Sequence, residues 1–310
     1  DSVIKLIDEN FGPDWKKYGT VDDTVYSAPL GANVKSYVWY SPKKFAEKGY
    51  KVPTTWDELL TLTKKIAADD PAAKPWCAGF GSGTATGWPA TDWLEDLMLR
   101  TAGKDTYDKW VEHKIPFNDP KIAEALGKAG AILKDPKYSN GGYGAPKTIA
   151  TTTFQDGGLP ILSGKCYMHR QASFYGTMWP KGTNVAEDGD AWAFYLPSMN
   201  DTKPVLGGGE FVLTFRDAPE VKAFAAYLAS GDWANNKAKA TPTGGWLSAN
   251  KKLDPANLVS PLDKQSVAIL TDSAAVFRFD GSDMMPSSVG AGSFWTEMTN
   301  GVTGQDEATT

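Results

Sequence analysis

The sequence predicts an α/β protein, and three observations carry the prediction. Short β-branched and aromatic runs recur along the chain. Helical segments with start signatures and one apolar face stand between them. At 310 residues the chain is long enough for two lobes of ordinary domain size. Neither an internal repeat nor a low-complexity linker marks a boundary between such lobes.

Taken in order, residues 1–20 read as a short helix and loop with Val3, Ile4 and Ile7 on one face. Val25–Leu30 is strand-like but broken by Pro29, and Ser36–Tyr40 is a second strand. Ser41-Pro42 opens a helix, the proline at a first-turn position where its missing N–H costs nothing. Thr55-Trp56-Asp57-Glu58 is a capping box, and the helix behind it puts Trp56, Leu59, Leu60, Thr63 and Ile66 on one face. A strand is expected at Trp76–Phe80, a Gly/Ser/Thr loop at Gly81–Gly87, and helices over Trp93–Leu99 and near Ile122–Leu133. Cys166–Arg170 reads as a strand after the Ser163-Gly164 turn, and Leu206–Leu213 as a strand entered through three glycines. Asp217-Ala218-Pro219-Glu220 opens another capped helix, with Val221, Phe224, Ala225 and Leu228 facing inward.

Composition excludes several function classes. The net charge is -5 with a pI near 5.2, and no basic stretch offers a nucleic-acid surface. No apolar run approaches the roughly 18 residues of a membrane span, and no signal-peptide pattern stands at Asp1. With two histidines, His113 and His169, and no Cys/His or HExxH cluster, no metal site and no cofactor are expected. The two cysteines, Cys77 and Cys166, permit one disulfide, with two small buried residues as the alternative. The chain holds 12 Trp, 12 Tyr and 13 Phe. Core packing accounts for most of these, and flat platforms for the C–H faces of sugar rings account for several.

Six stretches in order resemble the extracellular solute-binding proteins that include maltose-binding protein, and their α-glucoside-binding branch in particular. They are Ala28-Pro29-Leu30-Gly31 through Pro53-Thr54-Thr55-Trp56-Asp57-Glu58-Leu59, Gly87–Asp96, Gly164–Phe174, Gly207–Glu210, Gly244–Asn250, and Arg278–Pro286 through Phe294-Trp295. The resemblance implies a periplasmic-binding-protein-like type II fold: two α/β lobes joined by hinge-crossing strands, with ligand between them. Residues 1–33 and 209–252 would form the remainder of the first lobe, and 34–208 with 253–310 the second. The first lobe would be incomplete, because family members begin with βα units upstream of the region matching Asp1. Gly304–Glu307 would be the approach to a shortened terminal helix. The implied role is the substrate-binding component of an ABC sugar importer, a monomer that captures an α-glucoside or small oligosaccharide and delivers it to the permease subunits. That role places it outside the cell or in the periplasm, as a cell-surface lipoprotein or free, with no catalytic residues. Missing first-lobe units usually supply polar sugar contacts, so the 310 residues alone are expected to bind sugar weakly or not at all.

The resemblance and the residue chemistry together nominate a site. Asn33 lies four residues after Pro29, where an amide donates to and accepts from vicinal hydroxyls; a turn role is the alternative. Trp88 and Asp92 pair a platform with a carboxylate, unless Asp92 caps a helix. Phe174 falls at a stacking position, with Gln171 orienting the ligand; core packing is its alternative. Glu210 follows three glycines that let backbone approach a ligand, or that serve the hinge. Trp246 and Trp295 are the remaining aromatic candidates, with a structural role as the alternative for either. Asp283 and Arg278 bind hydroxyls or pair with one another. Two other functions compete. A glycoside hydrolase needs two carboxylates across the scissile bond, and no nucleophile elbow, metal cluster or phosphate loop accompanies the acidic residues. The other is a binding protein for a non-sugar solute, such as an amino acid, a polyamine or betaine; a quaternary amine needs an aromatic cage with little hydrogen bonding, whereas the Asn, Gln, Asp and Glu candidates suit a polyol.

Overall fold

The computed structural model describes residues 2–241, 244–306 and 309–310. Helices α1 (Ser2–Asn10) and α2 (Pro13–Tyr18) lead into a hairpin of β1 (Thr20–Val21) and β2 (Thr24–Val25). β3 (Ser27–Val34) follows, and it runs through Pro29 instead of breaking there. Its register shifts between Pro29 and Gly31, and this irregularity accommodates a residue with no N–H to offer the ladder.

β4 (Tyr37–Tyr40) and α3 (Pro42–Lys48) come next, then α4 (Trp56–Asp69). The Ser41 hydroxyl accepts the Lys44 N–H at 3.3 Å. The Thr55 hydroxyl accepts the Glu58 N–H at 3.2 Å, and the Glu58 carboxylate accepts the Thr55 N–H at 3.3 Å, so the capping box is formed. On α4, Leu62 is buried and Leu60 only half-buried, which turns the inner face slightly from the expected one. β5 (Lys74–Trp76) is shorter than the expected Trp76–Phe80 strand and lies earlier. The Asn140 side chain takes the Ala78 N–H at 3.0 Å, where a continuing strand would have bonded its neighbour.

The chain continues through α5 (Trp88–Thr101), α6 (Lys104–Val111), α7 (Pro120–Leu133), β6 (Cys166–Arg170), β7 (Trp192–Tyr195) and β8 (Lys203–Leu213). After these come α8 (Pro219–Leu228), α9 (Gly231–Lys239), α10 (Pro261–Leu270), β9 (Ala275–Phe279), α11 (Gly281–Met284) and α12 (Trp295–Thr303). Glu307, at the end of the expected approach to a terminal helix, lies outside the described residues. The N-cap of α8 is Ala218, which offers no side-chain acceptor, and Asp217 instead pairs with Lys222 at 2.6 Å. Phe224 is 62% exposed. The helix buries only Ala225 and Leu228, a stripe too narrow to include it.

Two sheets organise the molecule. One has the order β5-β6-β4-β7, with β5 parallel to β6 and β4 antiparallel to both its neighbours. The other has the order β3-β8-β9. β8 is shared along its length: Lys203–Gly207 pairs with β9, and Gly207–Leu213 with β3. Two hydrophobic cores result. The first gathers Ile7, Phe11, Trp15, Ala32, Leu247, Leu253, Leu258, Val267 and Phe279. The second is larger and packs α4, α5 and α7 around the four-stranded sheet. The chain passes from one core to the other between Ala32 and Val34, along β8, and between Phe279 and Met285. α10 serves both, with Val267 in the first core and Leu262 and Ile269 in the second. Cys77 and Cys166 form a disulfide with Cα atoms 5.8 Å apart, tying the end of β5 to the start of β6.

Candidate functional site

The site grows from the segments that cross between the cores. Gly87, at φ 111°, leads into α5. A Cβ there would collide with the backbone carbonyl of Trp295, so glycine lets the start of α5 pack directly on the Trp295 backbone. Along α5, Asp92, Glu95, Asp96 and Arg100 follow at helical spacing and all are buried. Lys35, on the first crossing, reaches Asp92 at 2.8 Å and also bonds Asp280, on the third. Arg170 from β6 meets Asp96 at 2.8 Å and Asp92 at 3.6 Å. Arg100 pairs with Asp96, and Ser36 donates to Asp96 at 2.8 Å.

The group contains three bases (Lys35, Arg100, Arg170) and four buried acids (Asp92, Glu95, Asp96, Asp280), so one proton balances it. Glu95 is the acid that keeps it: burial, then Asp280 and Asp92, push its carboxyl well above the usual range. Burial also lifts Asp92 to about 6 against the pull of Lys35. At Asp280 burial is overcome by the Lys35 charge, and the carboxyl is held down to about 2. Burial opposes the Lys35 charge, but Asp280 and Asp92 outweigh it and hold the ammonium above its ordinary range. Asp92, Glu95 and Asp280 are the one trio of carboxylates among the described residues close enough to share a cation. The Lys35 ammonium already bridges two of them.

Above this charged layer lies an aromatic one. Trp88 packs against Phe154 at 5.2 Å and Phe174 at 6.0 Å between ring centroids, and all three are within 6.3 Å of one another. The Lys35 ammonium stands 5.2 Å from the Trp88 ring centroid. The Trp295 indole donates to Ser282 at 3.2 Å. Next to Ser282, Asp283 opens to solvent at the rim. Protein packed around its carboxyl, then the charge on Asp280, raise it to about 7.

A second group faces from the first core. A Cβ on Gly31 would collide with the Glu210 carboxylate and stand 3.5 Å from the Trp246 indole nitrogen, so these three residues meet. Asn33 is half-buried on β3, paired in register with Gly208. The two groups approach at two places. The Val34 N–H donates to Ser173, beside Phe174, at 3.2 Å, and Gly245, beside Trp246, packs on Thr177.

Of the twelve tryptophans, eight are buried, and Trp88, Trp233, Trp246 and Trp295 are half-buried. Three of those four are the nominated ones. Asp92 departs from both of its readings. It exposes nothing to solvent, and as the fifth residue of α5 it is too far along to cap it, so its carboxylate serves Lys35 and Arg170. Arg278 does not pair with Asp283, and forks instead onto Asp108 at 2.6 and 2.8 Å. Gln171 is buried; its side-chain oxygen accepts the Ala172 N–H at 2.9 Å, and its amide nitrogen has no partner among the described residues. Sequence reasoning passed over Lys35, Phe154 and Asp280 as site residues. The spacing of Asp92, Glu95, Asp96 and Arg100 signalled a charged helix face, but nothing local to Lys35 or Phe154 showed where they would land.

Two α/β cores joined by three crossing segments, with aromatic and carboxylate groups gathered at the crossings, have the periplasmic-binding-protein type II fold. The chain belongs to the bacterial extracellular solute-binding proteins, whose family model matches residues 2–235. It is 42% identical over 312 residues to the alpha-glucosides-binding periplasmic protein AglE of Rhizobium meliloti, covering 95% of this chain and 64% of that one. It is 38% identical over 302 residues to the osmoprotective compounds-binding protein GgtB of Synechocystis, covering 96% of this chain and 69% of that one. The chain thus spans about two thirds of the length of these relatives. Among solved structures, the bacterial solute receptor AcbH superposes with a TM-score of 0.79 at 20% identity, covering 100% of this chain and 75% of that one. A chitin oligosaccharide binding protein follows at 0.72 and 18%, covering 97% of this chain and 76% of that one.

Proposed function

We propose that this protein is the solute-capturing component of an ABC importer, holding a sugar between two lobes and handing it to a membrane permease without chemical change. The observation that carries this reading is the Trp88–Phe154–Phe174 aromatic group, with Trp295 and Asp283 beside it, where the chain crosses between cores. Flat apolar faces suit sugar C–H surfaces, and nearby carboxylates and amides suit hydroxyls. In this reading Trp88 and Phe174 stack on the ring, Trp246 and Trp295 form further walls, and Asp283, Asn33, Glu210 and Gln171 meet hydroxyls. Asp92 works from behind, by holding Lys35 under the platform.

The lobes are 1–33 with 209–252, and 34–208 with 253–310, except that Leu253, Leu258, Val267 and Phe279 of the last segment pack into the first core; they close over the ligand, which shifts that equilibrium only by its differential affinity for the closed state. An α-glucoside is the favoured ligand because AglE, at 42% identity, binds alpha-glucosides. The protein works as a monomer outside the cytoplasmic membrane, in the periplasm or at the cell surface.

The similarity to GgtB favours a second ligand class, osmoprotective compounds. A cationic osmolyte fits poorly, because Lys35 already places a positive charge over Trp88. Calorimetry of the full-length protein against maltose, trehalose, sucrose and glycine betaine separates these readings. Saturable sugar binding supports the proposal, and tight betaine binding without sugar binding refutes it. Release of glucose from any of the three disaccharides would convert the protein into an enzyme.

A further inference from the structure

We propose that Asp263 is a positioning residue: it fixes Trp246 as a wall of the cleft by holding the Gly244-Gly245-Trp246 turn from behind. The proposal rests on the sugar-receptor reading given above.

The turn needs an external hold. Gly244 and Gly245 both lie in the left-handed region, at φ 71° and 88°. Two successive glycines there leave the backbone many alternatives. At its far end the turn is fixed to the first core, where the Ala32 N–H donates to the Leu247 carbonyl at 2.9 Å. On its near side Thr177 packs where a Gly245 Cβ would stand. A cavity of about 550 Å³, bordered by Thr177, Gly245, Ser260 and Asp263, lies next to it and gives the turn room to relax. The Gly244 N–H bonds the Thr241 carbonyl at 3.0 Å, and the one side-chain hold on the turn among the described residues is the bond from the Gly245 N–H to Asp263 Oδ2 at 2.9 Å.

Asp263 is placed at some cost. Its residue is 2% exposed, and Oδ1 has no partner among the described residues. Burial pushes the carboxyl up to about 6, with only the Gly245 bond pulling the other way. A buried carboxyl with a single backbone partner and no cation destabilises a fold, so stability alone does not account for it. Its helix, α10, is anchored in both cores through Val267 and through Leu262 and Ile269. The bond therefore ties the position of Trp246, which meets Gly31 and Glu210, to a helix anchored in both cores.

The test uses the full-length protein with Asp263→Ala and Asp263→Asn, each alone and combined with Trp246→Leu. Hydrogen exchange over residues 244–247 is read without ligand, and affinity for maltose, trehalose and sucrose by calorimetry. Asp263→Ala is expected to speed exchange in the turn and to weaken sugar binding about tenfold. Asp263→Asn keeps an acceptor oxygen for the Gly245 N–H, and is expected to stay within about threefold of the unmutated protein. In the Trp246→Leu background, Asp263→Ala is expected to change affinity less than about twofold. Unchanged exchange in Asp263→Ala overturns the proposal, as does an equal loss of affinity with and without Trp246. Should Asp263→Ala fail to fold, Asp263→Glu, which displaces the carboxylate by one methylene, replaces it with the same expected direction. If the unmutated protein binds none of the sugars, the receptor reading falls, and exchange alone decides whether Asp263 holds the turn.

Discussion

Lys35 carries more of the site than any other single side chain. Its ammonium bonds Asp92 on α5 and Asp280 on the third crossing, and stands against the Trp88 ring. Removing it strands two buried carboxylates. Lys35→Met is expected to cost about 3–5 kcal/mol in urea unfolding at pH 8. The loss should be smaller at pH 5, because Asp92, at about 6, is then able to take a proton. An equal loss at both pH values would mean that Lys35 does not compensate Asp92. This residue was not legible in the sequence, since its partners lie 57 and 245 positions away. Asp92 pairs with Lys35 and Arg170, and a lone carboxylate beside a tryptophan reads the same in sequence whether it meets a ligand or a lysine. Trp88, Trp246 and Trp295 stood out through their glycine and aromatic neighbours, and those neighbours are what leave them half-buried.

At the scale of elements, local chemistry was readable wherever a cap or glycine acts within a few residues. The capping box at Thr55, the Ser41 cap and the Cys166–Arg170 strand all form as their sequences dictate. The failures share one cause, which is tertiary contact overriding local pattern. Pro29 sits inside β3 because a bulge absorbs it, and the expected strand does not run on to Phe80 because Asn140 takes the Ala78 amide. Phe224 faces out because α8 has only a two-residue stripe to bury. Gly87 tests how tightly α5 is set. Gly87→Ala must accept φ 111° and a collision with the Trp295 carbonyl. The left-handed conformation alone costs about 1–2 kcal/mol, and displacement of Trp295 should lower sugar affinity as well. A variant as stable as the parent, with unchanged affinity, would show that the Gly87–Trp295 contact is not needed.

For the whole molecule, the buried acids set a pH dependence with a definite sign. Burial raises Asp92 and Asp263 to about 6, Asp283 is raised to about 7, and Glu95 lies well above its ordinary value. Between about pH 4 and about pH 7 the folded protein therefore binds more protons at these groups than the unfolded chain does. Their contribution to stability is present in full below the ordinary carboxylate range and is lost as pH rises through that window. Asp280, held down to about 2, works in the opposite sense: its contribution is present above the ordinary range and is lost as pH falls toward 2. Buried His169, held down to about 4 by desolvation, opposes this below about pH 6.5, but the four raised acids outnumber it, so urea midpoints should fall from pH 5 to pH 8, and Asp263→Asn should flatten the fall. A midpoint that rises over that interval would contradict the protonation assigned here. None of this was visible from composition, which shows only an acidic chain; the two-core architecture was visible, because its six ordered motifs run from residue 28 to residue 295.

The central claim is that the aromatic group at the crossing segments captures a sugar without altering it. The most direct measurement is a calorimetric titration of full-length protein with maltose, trehalose and sucrose, run in parallel on Trp88→Ala, with the reaction mixture assayed for free glucose. Saturable binding of at least one disaccharide, weakened by about 2 kcal/mol in Trp88→Ala and with no glucose released, is the predicted result. Glucose release, or sugar binding that Trp88→Ala leaves unchanged, would contradict it.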